Sequence, residues 1–96
     1  MIKTILIDDD FLVLQALETI LSVQDHIEVV GTGNDGRDAV ELYITHQPDL
    51  VLMDIRMEPT SGIEAAHEIL KDFPKANILF ITTFQDDESI TKALSI

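Results

Sequence analysis

Leu50-Val51-Leu52-Met53-Asp54 is apolar at four consecutive positions and acidic at the fifth. Two other stretches share this design: Ile5-Leu6-Ile7-Asp8-Asp9 before it and Ile78-Leu79-Phe80-Ile81-Thr82 after it. Each reads as a strand that is apolar at nearly every position rather than alternately. That is the pattern of a strand covered on both faces, as in a parallel sheet. In an open parallel sheet, ligands bind beyond the carboxyl ends of the strands. An acidic pair, a lone acid and a hydroxyl at three such ends make one small, oxygen-rich site, suited to a hard divalent cation and a phosphoryl group.

Outward from these strands the chain alternates strand and helix. Residues 3–8 are expected to form the first strand. Leu14, Leu17 and Leu21 then recur at helical spacing within 11–23. Ile27–Val30 reads as a short strand ending at Gly31. Asn34-Asp35-Gly36 supplies turn and cap chemistry before a helix with Ala39, Val40 and Tyr43 inward, which Pro48 ends. After strand 50–54 comes a loop over 55–61. A third helix over 62–73 places Ile63, Ala66 and Leu70 on one face, and Pro74 stops it. Strand 77–82 follows, and Asp86-Asp87-Glu88 begins a last helix. Strands alternating with helices predict a parallel α/β sheet with right-handed crossovers.

Composition narrows the function. The 96 residues suit one small domain. Eighteen acidic side chains against six basic ones give a net charge of −12, which repels nucleic acid, so a DNA-binding role would need another domain. The absence of cysteine excludes disulfides, thiolate zinc sites and cysteine nucleophiles. The apolar runs are too short to span a bilayer, and the N-terminus lacks signal-peptide architecture, so the expectation is a cytoplasmic protein with no membrane partner. His26, His46 and His67 show no metal-ligand spacing.

On Asp8-Asp9, Asp54 and Thr82, in that order and spacing, the chain resembles the receiver domain of bacterial two-component response regulators. The segment Pro48-Asp49-Leu50-Val51-Leu52-Met53-Asp54-Ile55-Arg56-Met57, followed by Gly62-Ile63-Glu64-Ala65, carries the most specific part of the likeness. Ile81-Thr82-Thr83-Phe84 resembles the subgroup whose receivers precede a LuxR-type helix-turn-helix output domain. The resemblance implies a flavodoxin-like sheet of order 2-1-3-4, with a fifth strand and helix expected beyond Ile96, so that 1–96 is a C-terminally incomplete receiver. It implies that Asp54 accepts a phosphoryl group from a sensor histidine kinase. It also implies Mg²⁺ held by Asp9, Asp54 and the Arg56 carbonyl, with Asp8 acting through water, and Thr82 as the switch hydroxyl. Such a domain catalyses its own phosphorylation and dephosphorylation without being a turnover enzyme. DNA would be reached only through the output domain, whose transcriptional control the receiver would switch.

Two departures accompany the likeness. Glu58 stands where the family has proline, with Pro59 one position later, which adds an acid near the site and predicts an altered loop path. The family's phosphate-binding lysine belongs to the fifth strand. Lys3, Lys71, Lys75 and Lys92 are all misplaced for that role. Helix one is expected to cover one face of the sheet alone, leaving strand 77–82 as an open edge through which a second copy could pair. A degenerate receiver acting only as a protein-interaction module is the alternative reading. A phosphohydrolase using an aspartyl-phosphate would need an acid where Arg56 stands. Asp10, rather than Asp8 or Asp9, is expected to cap the first helix.

Overall fold

The structure, a computed structural model, describes residues 1–81. The elements are β1 (Ile2–Ile7), α1 (Phe11–Ser22), β2 (Ile27–Gly33), α2 (Gly36–His46), β3 (Leu50–Asp54), α3 (Gly62–Asp72) and β4 (Ile78–Ile81). The four strands are all parallel, in the order β2-β1-β3-β4. This is the expected order. The expected helix after Asp86-Asp87-Glu88 lies outside the described residues.

The caps follow from local chemistry. The Asp10 carboxylate accepts from the N–H groups of Leu12 (2.9 Å) and Val13 (3.4 Å), so Asp10 is the α1 cap, as expected. Asp35 caps α2 through the Asp38 N–H. Ser61 and Glu64 form a reciprocal capping box at the start of α3. The α2 helix closes on Gln47 in the left-handed region (φ 42°), immediately before Pro48.

Three expectations are corrected. First, β2 does not end at Gly31 but runs to Gly33. The pairing shifts between Thr4 and Ile5, so that Ile5 sits opposite Gly31 and Ile7 opposite Gly33. The glycines mark close approach rather than a stop. A Cβ at Gly31 would lie 2.9 Å from Leu42, and one at Gly33 would lie 2.5 Å from the Asp38 Cβ. Second, α3 buries Gly62, Ala65, Ala66 and Ile69, whereas Ile63 and Leu70 are only half-buried. Small residues let the helix sit close to its neighbours, so side-chain bulk pointed to the wrong part of its face.

Third, the apolar strands are not all covered on both sides. Ile5, Ile7, Val51 and Met53 face a core completed by Ala39, Tyr43, Ala66 and Ile69 from α2 and α3. On the opposite face, Leu6, Leu52 and Leu79 lie in one row across β1, β3 and β4. Leu6 is fully buried, Leu52 is half-buried, and Leu79 is 57% exposed. The helix on this face, α1, packs against β1 and β2, so cover thins toward β4. Among the described residues, α1 is the helix that packs on this face. Leu14, Leu17 and Leu21 are accordingly only half-buried.

The row predicts unequal costs for one substitution. Leu6→Ala should destabilise the chain by roughly 2–5 kcal/mol, whereas Leu79→Ala should cost less than about 1 kcal/mol. Urea unfolding followed by circular dichroism measures both.

Candidate functional site

The register of the sheet brings the acids together. Ile7 pairs with Met53, so Asp8 and Asp54 emerge side by side from adjacent strands. The ladder continues past the strand ends: the Asp8 N–H donates to Gly33 O at 3.1 Å, and the Ile55 N–H donates to Ile81 O at 3.3 Å. Asp8 is 4% exposed, Asp54 is half-buried and Asp9 is exposed. One carboxylate oxygen from each of the three lies within 4.8 Å of the others. The structure therefore gathers Asp8, Asp9 and Asp54 as the sequence suggested.

Hydrogen bonds sort the acids by role. Asp8 accepts from the Asp10 N–H at 2.8 Å, which aims its carboxylate across the strand ends. Asp10 turns away to cap α1. The backbone N–H groups of Arg56 and Ile55 donate to Asp54. Thr82 lies outside the described residues.

Burial, and then crowding, shifts the acids upward. Burial is the largest cause of the raised pKa of Asp54, which reaches about 6. The Asp8 charge adds to it, the Arg56 N–H opposes it, and Asp9 contributes a smaller rise. Burial likewise pushes Asp8 up; the Asp10 N–H pulls it down, and the charges of Asp9 and Asp10 raise it. Burial leads both shifts and the neighbouring acids add to it, and a divalent cation among the three oxygens would oppose both effects. The donor set is all carboxylate oxygen, which suits magnesium rather than a softer metal.

The loop after Asp54 is held on its own terms. Ile55 and Met57 are buried, while Arg56, Glu58 and Pro59 are exposed. The Glu58–Pro59 peptide is cis. Gly62 donates its N–H to Ile55 O at 2.9 Å, and a Cβ on Gly62 would collide with the Asp54 carbonyl oxygen. Glycine is thus required where the loop folds back on the acid. The N–H of Gly36 donates to Thr60 O at 2.9 Å, tying the start of α2 to the same loop. In the sequence Gly36 carries only turn and cap chemistry and Gly62 only the family likeness; their tight backbone contacts with the site loop come from the fold. Glu58 lines an adjoining cavity with Asp9 and Arg56, outside the set of converging carboxylates.

The site is bordered by two cavities. One, of about 380 Å³, is lined by the acid cluster together with Asp10, Val13, Arg56 and Ile81. The other, of about 390 Å³, opens beside Met57, Glu58 and Ser61. Lys3 lies at the opposite end of β1 from Asp8, and Lys71 lies in the last turn of α3.

Residues 4–96 match the response regulator receiver domain family. The chain is 40% identical over 93 residues to the response regulator protein VraR of Staphylococcus epidermidis, covering 97% of this chain and 44% of that protein. VraR of Staphylococcus aureus gives the same identity and coverage. The chain therefore spans under half the length of these relatives. Among solved structures, the receiver domain of the putative response regulator NarL from Mycobacterium tuberculosis superposes with a TM-score of 0.90 at 28% identity, over 98% of this chain and 76% of that one. A LuxR-family DNA-binding response regulator from Staphylococcus aureus gives 0.90 at 25% identity, over 99% and 79%. No helix among the described residues is long and apolar enough to cross a membrane.

Two outcomes are expected from the charge cluster. A carboxyl whose pKa is raised in the fold binds its proton more tightly when folded, so protonation favours the native state. Metal-free stability should therefore rise as pH falls from above 6 toward the ordinary value of 3.8, and Mg²⁺ affinity should weaken through the same window. Melting curves and calorimetric titrations across that range read both. Asp8→Asn keeps an acceptor for the Asp10 N–H but removes a charge. It should raise metal-free stability by roughly 1 kcal/mol, discounted for solvent screening, while lowering Mg²⁺ affinity at least tenfold.

Proposed function

The chain belongs to the response regulator receiver domain family, and from that premise we propose that Asp54 is its phosphoacceptor, charged by a sensor histidine kinase with Mg²⁺ held beside it. One observation carries the proposal: the convergence of the Asp8, Asp9 and Asp54 carboxylates at the ends of β1 and β3. Asp9 and Asp54 would hold the metal directly with the Arg56 carbonyl, and Asp8 would act through water. When bound, the cation neutralises the carboxylates and the oxygens of the transferring phosphoryl group.

The chain's own groups do the rest. The N–H bonds from Arg56 and Ile55 orient the Asp54 carboxylate. One of its oxygens forms a bond to phosphorus. The bond from phosphorus to the donor's imidazole nitrogen, or to the bridging oxygen of acetyl phosphate, breaks, and the leaving group takes the electron pair. The product is an aspartyl phosphate, which water later hydrolyses. Positioning and charge neutralisation supply most of the catalysis in such transfers, so the domain is a signalling module rather than a turnover enzyme. Thr82 is proposed as the hydroxyl that answers the modified Asp54.

The remaining assignments follow the relatives and the composition. A net charge of −12 makes this domain a poor ligand for DNA. Control of transcription is proposed through an output domain like that of the LuxR-family neighbours, in the cytoplasm. The half-bare side of β3 and β4 is proposed to allow self-association through the β4 edge.

Incubation with acetyl phosphate and Mg²⁺, followed by intact mass, should show one phosphoryl adduct on the parent chain and none on Asp54→Ala. An adduct on both proteins, or none on either, would reject Asp54 as the acceptor.

A further inference from the structure

The loop over 55–61 forms part of the acid site, and a helix that carries none of the acids holds its far end. The first residues of the loop act directly: the Ile55 and Arg56 N–H groups donate to the Asp54 carboxylate. The last residues turn into α3 through the Ser61–Glu64 capping box. Between these ends Met57 is buried, while Glu58 and Pro59 are exposed.

The hold comes from α2. Gly36 is the first residue of that helix and is buried. An N–H in the first turn of a helix has no partner within the helix. That of Gly36 donates instead to Thr60 O at 2.9 Å. Among the described residues, this is the backbone hydrogen bond that joins the loop to a helix other than α3. A Cβ on Gly36 would lie 2.6 Å from Thr60 O, 2.7 Å from Ser61 O and 2.6 Å from Thr60 Cγ2. Two of those three atoms are backbone oxygens, which cannot swing aside as a side chain can. Gly31 shows the contrast, since a Cβ there would first meet Leu42 Cδ2, the end of a flexible side chain. Backbone conformation does not call for glycine at 36 either, because no glycine among the described residues has a positive φ. Alanine is the better helix former, so what Gly36 supplies is space.

We infer that Gly36 is a positioning residue for the acid site: by admitting the Thr60 carbonyl against the first turn of α2, it fixes the loop whose backbone orients Asp54 and presents the Arg56 carbonyl. This rests on the proposed reading of Asp54 and its metal. Gly36 touches neither of them. It acts through the path of the loop, so its loss is felt as weaker cation binding and a less ordered Arg56 N–H.

The test compares the parent with Gly36→Ala and Ile69→Val in the full chain. Ile69→Val trims a buried methyl group from α3 and leaves the Gly36 contact intact. Calorimetric titration should show Mg²⁺ affinity about tenfold weaker in Gly36→Ala, and within about twofold of the parent in Ile69→Val. In the metal-free chains, the Arg56 N–H should exchange with solvent faster in Gly36→Ala than in the parent. Binding and positioning are reciprocal, so the parent alone gives a further reading. Adding Mg²⁺ should slow exchange of the Gly36 N–H by more than that of the Asp49 N–H, whose bond to Lys3 O lies at the opposite end of the sheet. A folded Gly36→Ala with parent-like affinity overturns the inference and leaves the metal site standing. An equal loss of affinity in Ile69→Val also overturns it, because general loosening then explains the effect. Should Gly36→Ala fail to fold, equal slowing at Gly36 and Asp49 in the parent overturns it. No Mg²⁺ binding by the parent overturns the metal reading and this inference with it.

Discussion

Everything at the site depends on the register between β1 and β3. With Ile7 opposite Met53, the next residue of one strand and the last of the other are acids that face each other across the sheet. Their mutual repulsion works against this arrangement. What resists it is burial just behind them: Ile5, Leu6, Ile7, Val51 and Met53 are each 1% exposed or less. A slip of one residue would exchange the two faces of a strand and expose that core. The core therefore enforces a charge cluster that the acids alone would not form.

Stability and chemistry are opposed at this point, and linkage connects them. The raised pKa values of Asp8 and Asp54 record, first, the cost of burying a carboxylate and, second, the cost of holding like charges together. A ligand that binds only the folded chain recovers part of that cost as affinity. A cation bound among the three carboxylates would draw on energy stored in the way the sheet is packed. The loop beyond Asp54 extends the same logic, since Gly62 lets the backbone fold against the Asp54 carbonyl, and buried Ile55 and Met57 pin the loop between its exposed residues.

The two faces of the sheet are unequal. The α2–α3 face holds a closed core with Tyr43 and Phe73 in ring contact at 4.9 Å. The α1 face is full over β1 and thin over β4, where Leu79 is exposed. The α1 helix is itself apolar around most of its circumference, with Phe11 66% and Leu12 74% exposed. Such a helix is commonly buried further by other elements. Among the described residues the closed core therefore lies on the α2–α3 side, and the acid site sits at the carboxyl ends of β1 and β3 above it.

The sequence by itself determined the strand-helix alternation, the strand order through the family likeness, the Asp10 cap and the identity of the three gathered acids. Those features are local, or they follow from apolar runs ending in charge, so short windows of residues carry them. The tertiary structure alone decided the rest. Gly31 reads as the end of the second strand, yet the pairing runs on through Gly33, with α2 side chains close against both glycines. The inward face of α3 turned on Ala65 and Gly62, small residues whose importance comes from what approaches them. Leu79 is as apolar as Leu6 and lies in the same row, yet one is exposed and the other buried, because cover depends on where α1 lies across the sheet. Pattern reports what a residue prefers, whereas distance between elements far apart in the chain decides what it meets.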